Sequence, residues 1–411
     1  MASPTASACR SAYRFWSNPK VSVSQILASH RDGVVARSRE AKTVLAIQDT
    51  TDLNFTSHPA TVGLGFINQS KQQGIKVHSC FAVSRDGNPL GLLHQQCWAR
   101  EQQKGKAKAK RKTPIEQKES YRWLQTLQAA ESGLASLERV IHVGDREADI
   151  FELFATPRQA NSELLLRVGH NRKVRHELGY LVPTLEQAPI LGTTKIDINR
   201  NPKQPARTAR LQVRAMEVTI DVPRYLQPKS LTPQTLNVIL VEELDPSDEV
   251  KQPIRWLLAT TLPIETFEQI WQAVQWYSYR WLIERFHFTL KSGCRIEGLQ
   301  LRSKDRLLKA LATYSIVAWR LMSLTYQARL NPEASCEQVL QPKEWKLLRR
   351  KFAPKNRSKK PPRLKQAMVW IAQLGGFLVR KGDGDPGLKT IWRGLGKLQL
   401  LLEGAQLAAQ S

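Results

Sequence analysis

Tyr277-Ser278-Tyr279-Arg280-Trp281-Leu282-Ile283-Glu284-Arg285-Phe286-His287-Phe288-Thr289-Leu290-Lys291 is the stretch from which the rest of the chain is read. Tyr277, Arg280, Glu284, His287 and Lys291 are spaced 3, 4, 3 and 4 residues apart. On a single helix that spacing puts all five on one face. A stripe of this kind is normally apolar and faces a core. Here it is polar and charged, and Trp276, Trp281, Ile283, Phe286, Phe288 and Leu290 take the neighbouring faces. Charges on a buried helix are costly unless they are paired or bind something charged. The stripe therefore reads as the wall of an active site.

The chain has 411 residues, is 41% hydrophobic and carries a formal charge of +26. It is long enough for two or three domains. Such an excess of Lys and Arg calls for an anionic partner, nucleic acid or an acidic membrane surface. No run approaches the ~18 consecutive apolar residues of a membrane span, and Met1 to Trp16 has no apolar signal region. Nucleic acid is the expected partner. Cys9, Cys80, Cys97, Cys294 and Cys336 are scattered, odd in number and free of CxxC pairs. That pattern argues against a disulfide framework or zinc site and fits a reducing cytoplasm.

Residues 1 to about 40 read as short helices, with Ser22 or Ser24 as an N-cap. Val44 to Ile47 reads as a buried strand running into Gln48-Asp49-Thr50-Thr51. Val77–Val83 and Leu90–Trp98 read as strands joined by the turn Asp86-Gly87-Asn88-Pro89. Lys104–Lys112 is a basic loop, Ile115–Leu134 a helix, Val140–Val143 a buried strand ending in Gly144-Asp145, and Glu147–Phe154 a helix. From about 160 to 260 the chain breaks into short strand-like runs: Leu164–Arg167, Thr193–Ile198, Ala209–Val213, Val218–Val222, Leu236–Val241 and Ile254–Thr260. Long helices return at Thr266–Leu290 and Lys304–Arg329. The helical tail is interrupted by Lys346–Lys365, which is either a set of nonspecific phosphate contacts or a solvated linker.

Asp49 and Asp145 each end an apolar strand, and Glu284 sits in the stripe. Three carboxylates from different elements can hold two divalent metals. Mg²⁺ takes one or two carboxylates and fills its shell with phosphate and water. Two such ions serve an in-line displacement at phosphorus, with Arg280 and Lys291 on the phosphates. Each residue alone has a second reading. Asp145 fits an N-cap, with Asp149 serving the same helix, and Asp49 fits an Asx-turn with Thr50 and Thr51. Glu284 and Arg280 fit an i,i+4 ion pair, His287 a core histidine, and Tyr277 a half-buried aromatic.

The segment Tyr277–Lys291 fits Y-x2-R-x3-E-x6-K, and with it the chain resembles the insertion-sequence DDE transposases of the YREK branch, typified by the bacterial transposon-five enzyme. AIQDTTDLNFTSH is similar to that family's first-aspartate motif and HVGDREADIFELF to its second. GLLHQQCWAR, Lys118-Glu119-Ser120 and VWIAQLGGFLVRKGDGDPGLKTIWRGL extend the resemblance from about residue 11 to the C-terminus.

The resemblance implies an α/β protein with a ribonuclease-H-like catalytic core interrupted by a β-rich insertion. The expected division is a helical N-terminal remnant of a DNA-binding region (1–40), core (41–160), insertion (161–260), core (261–328) and a helical, dimerising C-terminal domain (329–411). It implies Mg²⁺-dependent cut-and-paste excision through hairpin ends and strand transfer into target DNA. The expected cofactor is two Mg²⁺ ions, with Mn²⁺ as a substitute, held by Asp49, Asp145 and Glu284. Tyr277, Arg280, Lys291, Arg167, Arg146 and His287 would contact DNA, and Trp256 would stack on a flipped base, a contact of ~1–3 kcal/mol. The partners implied are double-stranded transposon-end and target DNA and a second copy of the chain. The location implied is the bacterial cytoplasm, at the nucleoid, with no membrane. Family members carry a longer helical stretch ahead of the segment matching Ala12-Tyr13-Arg14-Phe15. The alternative expectation is accordingly a shortened, non-catalytic inhibitor that pairs with full-length enzyme.

Overall fold

The computed structural model describes residues 6–67, 72–100, 113–198, 206–226, 231–248, 250–355 and 358–408. The basic segment Lys104–Lys112 lies outside them. The strands are β1 (Thr43–Asn54), β2 (Gly65–Phe66), β3 (Gln73–Ser84), β4 (Pro89–Trp98), β5 (Arg139–Gly144), β6 (Ser162–Arg167), β7 (Gly192–Ile198), β8 (Arg207–Ile220), β9 (Gln234–Leu244) and β10 (Arg255–Thr260). The helices are α1 (Ala6–Ser17), α2 (Val23–Ala41), α3 (Tyr121–Glu131), α4 (Phe151–Ala155), α5 (Leu181–Gln187), α6 (Phe267–Ser278), α7 (Trp281–Phe288), α8 (Lys304–Leu330), α9 (Pro342–Phe352), α10 (Leu364–Leu374) and α11 (Leu388–Ala408).

The chain divides into two compact units. A sheet unit comprises Ser38–Asp49 and Gln103–Trp281, and a helical unit comprises Met1–Arg37, Thr50–Gln102 and Leu282–Ser411. The protein is thus mixed α/β, with a large mixed sheet and a helical C-terminal region.

In the sheet unit the strand order is β1-β5-β6-β10-β9-β8-β7. The first three strands are parallel and the remaining pairings antiparallel. Val44, Leu45, Ala46 and Ile47 have no exposure, as for a parallel strand covered on both faces. Trp123, Leu127, Phe151, Phe154, Leu164 and Leu240 belong to one buried cluster of this unit.

Three sequence expectations change here. Ala209–Val213 and Val218–Val222 are one strand, because Arg214–Glu217 stays in register with Asn237–Leu240 of β9; a backbone ladder tolerates a polar interruption. Ile115–Leu134 is a 3-10 turn at Ile115–Gln117 followed by α3, since Lys118 is extended. Glu147–Phe154 is likewise a 3-10 turn, Arg146–Ala148, and then α4, with Ile150 extended between them.

In the helical unit, β3 and β4 form an antiparallel hairpin. Its turn is closed by Ser84 N–H donating to the Asn88 carbonyl (2.9 Å), with Gly87 at φ 85°. Ser22, not Ser24, caps α2: its hydroxyl accepts the Gln25 N–H, and the Gln25 side chain accepts the Ser22 N–H. α8 corrects another expectation, for it is long and apolar enough to cross a membrane. Its most apolar window is 72% buried, and its polar atoms are tied within the unit. Trp319 Nε1 donates to the Pro89 carbonyl, Ser315 Oγ to Gln95 Oε1, and Trp16 Nε1 to Thr313 Oγ1. Its apolar residues therefore serve as core. In the tail, Arg349 is buried, lies over the Trp345 ring (4.6 Å) and donates to the carbonyls of Ser358 and Lys360, which makes this part of Lys346–Lys365 structural. Lys359 and Lys360 are exposed, and Arg363 pairs with Glu333 at 2.5 Å.

α10 and α11 pack backbone to backbone. A Cβ on Gly394 would lie 1.8 Å from the Ile371 carbonyl oxygen, and one on Gly375 would lie 1.9 Å from that of Thr390. Gly394→Ala gains up to ~1 kcal/mol of helix propensity but meets a rigid carbonyl, an overpacking that costs about 1–3 kcal/mol. The expected net effect is destabilisation, read as a lower denaturant midpoint; an unchanged or higher midpoint would show that the helices separate freely.

Candidate active site

The site is set by the parallel pairing of β1 with β5. The register runs from Thr43 opposite Arg139 to Ile47 opposite Val143. Two residues further along each strand stand Asp49 and Asp145, at the same level of the carboxyl edge. β5 ends at Gly144, whereas β1 continues to Asn54, so Asp49 lies just past the pairing with β5 and not at the end of its strand. The carboxyl edge of parallel strands is where α/β sheets bind ligands.

Both carboxylates are half-buried. Asp145 caps the 3-10 turn, its side chain accepting the Glu147 N–H at 2.9 Å, so the capping reading is realised. Burial holds its carboxyl above the ordinary range. The nearby Asp49 carboxylate pushes it in the same direction, while the Glu147 N–H and the Arg280 charge oppose. Desolvation pulls the Arg167 guanidinium down, and Arg146 and Arg280 add like-charge repulsion to it. Burial raises the Tyr277 phenol, which lies in the fields of Arg280, Arg167 and Asp145. Its hydroxyl is buried and faces the Arg280 and Arg167 guanidinium groups. Trp256, on β10, meets the Tyr277 ring edge-on at 5.5 Å and 68°.

The sheet unit thus brings together Asp49, Asp145, Arg146, Arg167, Trp256, Tyr277 and Arg280. Glu284, His287 and Lys291 belong to the helical unit. The single stripe expected from spacing is not one helix. α6 starts with a capping box, Thr266 with Gln269, and stops at Ser278. The N–H groups of Tyr279 and Arg280 bond three residues back, to Trp276 and Tyr277, before α7 begins. Lys291 falls in a π-turn, Thr289–Gly293. Glu284 is exposed and Lys291 half-buried. His287 is 5% exposed beside Phe286.

Mg²⁺ suits the donor set of the sheet unit: two hard carboxylates on adjacent strands whose mutual repulsion a divalent cation relieves. Among the described residues no three His, Cys, Asp or Glu side chains gather closely enough to hold a metal.

Sequence reasoning missed the role of Asp149. Its buried carboxylate accepts the N–H groups of Gly169 (2.8 Å) and His170 (2.9 Å) and pairs with Arg172 at 2.6 Å. It anchors the chain just past Arg167 instead of serving a helix. The only signal was its place four residues after Asp145.

Residues 316–411 match the family model for the transposase Tn5 dimerisation domain. The match runs from the middle of α8 to the end of the chain. It supports a Tn5-like transposase and the formation of a homodimer. Exposed Leu400, Leu401 and Leu407 on α11 are apolar surface available to such contacts.

Two outcomes are expected. Asp149→Asn leaves Arg172 without its buried counter-charge and lowers unfolding stability by about 3–5 kcal/mol; urea denaturation showing under 1 kcal/mol would mean that the loop is held otherwise. The second concerns pH. A carboxyl raised in the folded state contributes stability at low pH, and this is lost as pH rises from the ordinary carboxylate range through the raised value. Asp49→Asn lessens that loss. In metal-free buffer it should raise the melting temperature near neutral pH, with the gain fading in acid. An equal shift at both extremes would deny the coupling.

Proposed function

We propose that the chain is a DNA transposase that cuts its element free and joins it to target DNA. The observation that carries the reading is the Asp49–Asp145 pair at the carboxyl edge of two parallel strands, with the Arg280 charge acting on Asp145 and Arg146 and Arg280 acting on Arg167. The match at residues 316–411 supports it independently. In this reading the core is ribonuclease-H-like, and Glu284, carried by α7, completes the acidic triad. Mg²⁺, when bound, would activate the attacking oxygen and stabilise the leaving one at phosphorus.

The residues divide the remaining work. Arg146, Arg167, Arg280 and Lys291 hold the backbone phosphates by charge-assisted hydrogen bonds. Tyr277 donates its hydroxyl to a phosphate oxygen; burial raises its phenol and so keeps the proton in place. Trp256 offers its indole face to an unstacked base while its packing against Tyr277 fixes the ring.

The test is excision, in cells, of a marker flanked by the element's own ends, together with Mg²⁺- or Mn²⁺-dependent strand cleavage by the purified chain. Asp49→Asn should reduce cleavage on the order of 10³–10⁴-fold, the scale of losing a catalytic group, and spare nonspecific DNA binding. Cleavage at the wild-type rate would overturn the assignment. A non-catalytic, dimerising chain would instead lack cleavage and suppress that of an active copy.

A further inference from the structure

α11 carries a second charged surface. Lys389, Arg393 and Lys397 are exposed at four-residue intervals and form one stripe of like charge. They line a groove of about 940 Å³ whose other wall includes Lys291 and Arg295. One acid, Glu297, lies among them, and its carboxylate accepts the Asn54 N–H at 2.7 Å. Among the described residues none of the five cations forms an ion pair. Like charges four residues apart on a helix repel, so an unneutralised stripe facing two more cations is held at a cost that an anion removes. Arg295 adds to this: it sits in the left-handed region (φ 56°), where a residue with a side chain is strained.

We infer that this groove binds the sugar-phosphate backbone of a nucleic acid, so that the first half of α11 contacts DNA while its apolar second half, Leu400 to Leu407, is left for self-association. The five cations lining one groove and the chain's charge of +26 favour a polyanion over a compact ligand. The inference rests on the reading of the chain as a DNA-processing enzyme and extends the phosphate contact at Lys291 onto α11.

The experiment measures binding of the full chain to a duplex of arbitrary sequence across a salt series, with Mg²⁺-dependent cleavage followed on the same preparations. The triple variant Lys389→Gln, Arg393→Gln, Lys397→Gln should flatten the log–log salt slope by about 2–3 units, near 0.9 per phosphate contact. The conservative pair Lys389→Arg, Lys397→Arg should keep it. An unchanged slope with cleavage intact overturns the groove and leaves the proposed function standing. A flattened slope in a chain that never cleaves supports the groove and removes the function. An unchanged slope with altered sedimentation reassigns the groove to a protein partner and overturns the inference.

Discussion

The parallel pairing of β1 with β5 is the constraint on which the site depends. Val44 to Ile47 and Val140 to Val143 have almost no access to solvent, so burial and the backbone ladder together fix one register. A slip by one residue would turn each strand's side chains to the other face and separate the two acids. The same burial that locks the strands desolvates Asp145 and places it in the field of Asp49. The charge conflict is thus a consequence of the packing.

The Glu147 N–H and the Arg280 charge temper that conflict without cancelling it. Arg146 and Arg280 in turn repel Arg167, and burial raises the Tyr277 phenol. Asp149 shows what a purely stabilising acid looks like in the same loop region: fully buried, bound to two backbone N–H groups and to Arg172. The contrast between Asp145 and Asp149, four residues apart, separates a site from its support.

The helical unit shows the opposite economy. α8 is apolar enough for a membrane, yet its polar atoms are tied to β4 and α1 and its apolar face is core. α11 approaches α10 through glycine, leaving its charged and apolar surfaces turned outward. A region matching a dimerisation domain thus keeps surface of two chemical kinds on one helix.

Much was legible from residues alone. The apolar runs before Asp49 and Asp145 marked two buried strands, the turn at Asp86–Pro89 marked a hairpin, and the charge of +26 pointed to an anionic partner. These are local or summed properties, and period and composition report them directly. Other features were settled only by the tertiary structure. Spacing drew Tyr277 to Lys291 as one stripe, but hydrogen bonding at Tyr279 and Arg280 tightens, ends α6 and starts α7, so Tyr277 and Arg280 join the sheet unit while Glu284 and Lys291 belong to the other. Asp149 was indistinguishable from a helix residue until its partners, some 20 residues on, were in place. Periodicity records which face a residue takes on its own element; which distant groups share its electric field and hydrogen bonds is decided only when elements far apart in the chain are packed together.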